Sequence, residues 1–108
     1  MSLIDKHYTF DYPENIQSVY YKILSVTNQM KGLRLIGNNN NSFTIFMDGS
    51  ITFWSWGENV TIACEYLDYY HTRIHIDSQP KLATTLVDFG KGKRNIKNVL
   101  EAIRMVLP

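Results

Sequence analysis

Apolar residues recur along this chain with two periods, and the changes between them mark the elements. From His7 to Asp11 the pattern alternates, Tyr8 and Phe10 against His7, Thr9 and Asp11, which predicts a strand. Tyr12-Pro13-Glu14-Asn15 then supplies proline and an acid in first-turn positions, a helix start. Ile16, Val19, Tyr20, Ile23, Leu24 and Met30 follow at helical offsets, so one apolar stripe runs to a terminator at Lys31-Gly32. From Leu33 the period drops to two. Strands are predicted at Leu33–Ile36, Phe43–Met47, Ile51–Trp56, Val60–Tyr66 and Thr72–Asp77. Their connections are the run Asn38–Asn41, a tight turn at Asp48-Gly49-Ser50, the turn Gly57-Glu58-Asn59 and a loop at 68–70. Residues 78–89 lack a period, contain Pro80 and read as a loop. After Gly90-Lys91-Gly92 a second helix carries Ile96, Val99, Leu100, Ile103 and Val106 or Leu107 on one face.

The order is β-α-β5-α. Two helices with one apolar stripe each can cover one face of an antiparallel meander, so the fold class is α+β with both helices on that face. The C-terminal half carries Asp77-Ser78, Asp88-Phe89-Gly90-Lys91 and Arg94-Asn95-Ile96, and the middle carries Ser55-Trp56-Gly57-Glu58. This pattern resembles that of small uncharacterised bacterial domains, over residues 7–107. Lys91-Gly92 departs from it where glycine followed by asparagine is expected. The element order is also similar to that of half the TATA-binding protein and of the helix-grip lipid-binding proteins, which curve a sheet around a long C-terminal helix. The resemblance implies a fold; it brings no activity with it.

Composition bounds the rest. The chain has 108 residues, 44% hydrophobic and 19% charged, which fits one globular domain over 1–108, with residues 1–6 expected outside its ordered part. Eleven basic residues against ten acidic ones give a net charge of +1, too little surplus for a nucleic-acid binder. No apolar run is long enough to span a membrane and none opens the chain as a signal peptide would, so a cytoplasmic location is expected. One cysteine, Cys64, excludes an internal disulfide and a thiolate-paired zinc site, and no cofactor is implied.

Candidate chemistry is sparse. His71 and His75 lie four apart, but on a strand that separates them by roughly 13 Å, so they read as a polar face with Arg73 and Asp77. Cys64 shares an inward row with Val60, Ile62 and Tyr66 and is expected to be buried and inert. Nucleophile elbow, phosphate loop and His-Glu metal helix are all missing, which predicts a non-catalytic protein. Lys91, Lys93, Arg94 and Lys97 crowd the start of the second helix, where its dipole already favours anions. Those residues are the candidate site for an anion, unless acids such as Asp88 pair with them. Ile51–Trp56 has apolar bulk on both sides, so Phe53, Trp54 and Trp56, with Phe46 beside them, form a candidate interface. The expected function is therefore binding: self-association, as a dimer for instance, or a protein partner on the aromatic sheet face. The alternative is a small apolar or anionic, lipid-like ligand between sheet and C-terminal helix, with Lys93, Arg94 and Lys97 at its mouth.

Overall fold

A computed structural model describes residues 6–49, 57–81 and 91–108. The elements are β1 (Lys6–Tyr12), α1 (Ile16–Ser25), β2 (Leu33–Asn39), β3 (Thr44–Gly49), β4 (Glu58–Asp68), β5 (His71–Pro80) and α2 (Lys91–Ile103). The five strands form one antiparallel sheet in the order β1-β5-β4-β3-β2, with the first strand beside the last. This is the expected α+β arrangement of an antiparallel sheet with two helices.

Alternation along each strand sends one set of side chains to the helices. Ile45 and Met47, Val60, Ile62 and Cys64, and Ile74 and Ile76 are all buried on that inner face. Ile16, Val19, Tyr20 and Ile23 of α1 and Ile96, Val99, Ala102 and Ile103 of α2 close over them. Fully burying a residue such as Ile74 contributes about 1.5–3 kcal/mol, whereas an exposed ion pair contributes about 0–1. Apolar burial, not surface charge, therefore holds the helices down.

Several boundaries differ from the sequence reading. Lys6, placed outside the ordered part, opens β1 and pairs with Ser78. The α-helical part of α1 stops at Ser25 and gives way to a 3-10 turn at Thr27–Gln29. Thr27 Oγ1 donates to the Leu24 carbonyl at 3.0 Å there, a local bond that competes with the helical ladder. The helix start is capped by Asn15, whose side chain accepts from the Gln17 N–H at 3.0 Å. Gly32 does terminate this region, with φ 74°. Gly37 does not end β2, which passes it with a bulge between Leu35 and Gly37. Ser78 to Pro80, taken as loop, extend β5, and α2 already begins at Lys91.

Asp48-Gly49 is also not a turn. Both residues belong to β3, Asp48 opposite Asn59 and Gly49 opposite Leu33. The glycine sits in a close contact: a Cβ there would lie 3.1 Å from Glu58 Oε1, a carboxylate that Asn95 holds in place and that would have to shift. The strand expected at Ile51–Trp56 lies outside the described residues. Of the four asparagines expected in the loop, Asn38 and Asn39 belong to β2, opposite Ile45 and Thr44, and Asn40 and Asn41 lie in the β2–β3 loop, whose left-handed residue is Phe43, with φ 54°. The loop also caps the core. Tyr20 is fully buried, its hydroxyl donating to Asn40 Oδ1 at 2.7 Å and accepting from Asn38 Nδ2 at 2.8 Å.

Hydrogen bonds hold four of the described carboxylates, Asp11, Glu14, Asp48 and Asp68, below their ordinary range. Glu14 is lowered by Lys22 and Ser18, and Asp48 by Lys81, against which it lies, and by Arg34 at 3.0 Å. Depressed carboxylates stabilise the fold above their unfolded values and lose that contribution as pH falls through the folded ones. Melting temperature should therefore hold at neutral pH and decline below about pH 4. Asp48→Asn should lower the neutral-pH Tm by about 2–5 °C and flatten the acid decline. Calorimetry from pH 7 to 3 checks both.

Candidate functional site

The inner face of β1 supplies three aromatic side chains at alternate positions, Tyr8, Phe10 and Tyr12. Opposite them stands the end of α2, with Leu100 and Ile103 on its apolar face. Past Ile103 the helix tightens. The Val106 N–H bonds the Ile103 carbonyl at 3.0 Å and the Leu107 N–H does so at 2.8 Å. That closing turn brings Leu107 and Pro108 back over β1, where the Tyr12 hydroxyl donates to the Pro108 carbonyl at 3.3 Å. Between strand and helix a pocket of about 370 Å³ remains, within the range of small-ligand sites. Among the described residues Arg104 has the one charged side chain in its lining, and Tyr8 is 44% exposed at its rim.

The basic cluster sits at the other end of α2. Lys93, Arg94 and Lys97 are exposed, and the first turn contains no acid. From Lys93 to Arg104 the helical rise is roughly 16 Å, so these cations do not line the pocket. The side chain of Lys91 and the whole of Asp88 lie outside the described residues. Phe46 is 40% exposed on the outer face of β3; Phe53, Trp54 and Trp56 lie outside the described residues.

Near the start of α2 the interior is polar. Glu58 is 2% exposed, Ser78 fully buried and Asn95 6% exposed. Asn95 Nδ2 donates to Glu58 Oε1 and to Ser78 Oγ, both at 3.1 Å. The three belong to β4, β5 and α2, so one amide ties the helix to two strands. They also belong to three of the short segments singled out in the sequence: Ser55–Glu58, Asp77-Ser78 and Arg94–Ile96. Their link is a buried polar contact, not an exposed face.

His71 and His75 part company, as the strand geometry requires. His71 Nδ1 contacts Asp68 at 2.9 Å, whereas His75 reaches Thr9 and Glu65. Among the described residues no group of three His, Cys, Asp or Glu is arranged to hold a metal. Cys64 is 5% exposed, and burial pushes its thiol up to about 12, so it is no thiolate at neutral pH. Arg104 and the aromatic row of β1 were missed as a site. Tyr8 and Phe10 alternate visibly, but nothing in sequence says that β1 faces the far end of α2.

No family model matches the chain, and no curated protein matches it. Solved structures do. A norcoclaurine synthase from Thalictrum flavum, a point mutant in complex with a transition-state analogue, superposes with a TM-score of 0.66 at 10% identity over 95% of this chain and 93% of that one. The di-domain aromatase/cyclase BexL from the BE-7585A biosynthetic pathway gives 0.67 at 9% identity over 94% of this chain. This chain spans only 45% of that protein's length. A START superfamily protein from Mycobacterium smegmatis gives 0.54 at 12% identity over 95% of this chain and 93% of that one. At such identities the likeness establishes the fold, a helix-grip arrangement, and no chemistry.

Two outcomes follow. Gly49→Ala should drive a methyl against Glu58 and cost about 1–2 kcal/mol, roughly 5–10 °C in Tm. A Tm within 1 °C of the parent would contradict the close contact. Cys64 should stay unlabelled by a thiol reagent for hours in the folded chain and react within minutes in denaturant.

Proposed function

We propose that this chain is a small-ligand-binding domain whose ligand enters the pocket between β1 and the end of α2. Its ligand has a compact, flat apolar body and one acidic group. The observation that carries this reading is the lining itself: three aromatic side chains from one strand, apolar residues from α2, and Arg104 as the single charged side chain among the described residues. Aromatic walls favour a planar apolar body, and a guanidinium pairs with a carboxylate, sulfonate or phosphate. The fold supports the reading, since a helix over a curved sheet leaves a cleft where the two diverge. Two of the neighbours are named as enzymes, but likeness of fold does not carry their reactions to this chain.

The lipid-like alternative of the sequence reading thus keeps its place between sheet and C-terminal helix, with a different cation, Arg104, beside it. Protein association remains a second reading on one observation. Phe46 is exposed on β3, and the neighbouring edge strand β2 exposes Leu35 (41%) and Ile36 (55%). Light scattering of Ile36→Lys against the parent at high concentration tests it; equal masses would remove it.

An anilinonaphthalene sulfonate tests the main reading, with neutral phenylnaphthylamine as its uncharged counterpart. Both should bind and brighten. Arg104→Gln should weaken the sulfonate by about 5–20-fold and leave the neutral probe within twofold. Leu100→Trp should fill the pocket and suppress both. Unchanged binding of both probes to the Leu100→Trp protein would overturn the pocket as the site.

A further inference from the structure

The outer face of β1, opposite the pocket, carries a continuous chain of polar contacts across three strands. His7 Nδ1 lies 2.5 Å from Asp77 Oδ1, and His7 Nε2 lies 2.6 Å from Thr9 Oγ1. The same hydroxyl lies 3.1 Å from His75 Nδ1, and His75 Nε2 lies 2.7 Å from Glu65 Oε1. Four links thus join Asp77, His7, Thr9, His75 and Glu65.

Counting protons shows what this chain requires. An ionised carboxylate only accepts, so each end link takes an N–H from its imidazole. A neutral imidazole has one N–H, and both are thereby used. The two inner links must share the single hydroxyl proton of Thr9. One of them would then set a nitrogen lone pair against an oxygen lone pair. All four links form only when the two imidazoles together carry at least one further proton.

We propose that His7, Thr9 and His75 form one proton-binding site that clamps the edge strand β1 onto β5, and through β1 sets the affinity of the pocket. The coupling is covalent and short: Tyr8 lies between His7 and Thr9, and Phe10 follows, so the residues that bind the proton alternate with those that line the pocket. The groups facing the site are Asp77 from β5 and Glu65 from β4, both acceptors, with Asp11 of β1 within electrostatic reach of His75 and Arg73 of β5 within reach of Glu65. Arg73 beside them is occupied by Asp11 at 2.8 Å. The opposing β4 positions, Thr61 and Ala63, carry no charge, and both helices lie on the other face. With the proton bound all links are made; as pH rises and it leaves, one becomes repulsive and β1 loosens.

This inference rests on the pocket reading only for its second half, and two measurements separate the halves. Amide hydrogen exchange of the full chain, corrected for intrinsic rates, reports the clamp without ligand. From about pH 5 to 8, the range in which imidazoles change charge, β1 protection should fall about three- to tenfold relative to β4. Thr9→Val removes the shared hydroxyl but suits a strand, and His75→Gln removes the need for the extra proton. Both should abolish the differential response, and His71→Gln, outside the chain of contacts, should keep it. Parallel changes in β1 and β4, or a Thr9→Val protein that responds like the parent, would overturn the proton site. The naphthalene sulfonate, charged throughout this range, reports the pocket. Its affinity should fall about two- to fivefold from pH 5 to 8 in the parent and stay constant in His75→Gln. A probe that fails to bind at any pH while β1 still responds would sink the pocket reading alone. Equal probe affinity at both pH values alongside a β1 response would overturn the coupling.

Discussion

Everything in this molecule depends on the pairing of the first strand with the last. β1 lies some seventy residues from β5 in sequence, yet His7 sits opposite Asp77, Thr9 opposite His75 and Asp11 opposite Arg73. That pairing costs loop-closure entropy before any contact repays it, so it must be held from both sides of the strand. On the inner side, apolar Phe10 and Tyr12 pack against the core. On the outer side ionisable groups meet their counterparts one by one. An edge strand has only one neighbour to hydrogen-bond, and these cross-strand contacts make up part of what the missing neighbour would give.

The second helix divides its work along its length. Near its start Asn95 reaches down to Glu58 and Ser78, a buried link that fixes the helix in position. A buried amide with two acceptors leaves little freedom in register, because sliding the helix would break both hydrogen bonds away from water. In its last turns the helix presents Leu100, Ile103 and Leu107, which fix no direction and tolerate repacking. Rigid at one end and apolar at the other, it can leave a pocket against β1 without loosening the core.

What the sequence disclosed was local order. Alternation at Tyr8 and Phe10, the stripe Ile16–Ile23 and the inward row Val60, Ile62 and Cys64 all follow from side-chain period, and the α+β class follows from their sequence. Tyr66, expected in that row, is instead 60% exposed near the end of β4. Partnerships were hidden. Asp48-Gly49 has turn composition, but Gly49 answers to the Glu58 side chain, a contact that no local pattern encodes. The histidine face of β5 read as solvated because its partners, His7 and Thr9, arrive from the far end of the chain. The basic cluster at the start of α2 drew attention through composition. Arg104, three residues after Glu101 near the end of the helix, gave no such signal, though it is the one that lines a pocket.

The small size of the chain ties these points together. Where the helices cover the sheet, Tyr20, Ile23, Ile62 and Ile74 fill the space between them, and the Tyr20 hydroxyl is already satisfied by Asn38 of β2 and Asn40 of the loop after it. A ligand admitted there would have to displace packed side chains, each contributing on the order of 2 kcal/mol. The β1 margin differs: Tyr8 is partly exposed, and a pocket remains between the strand and the last turns of α2. Space for a ligand therefore falls beside an edge strand that is held by Phe10 and Tyr12 on one face and by polar contacts on the other. In such an arrangement the strength of an edge strand's grip and the shape of the pocket beside it are one variable, since the same seven residues set both.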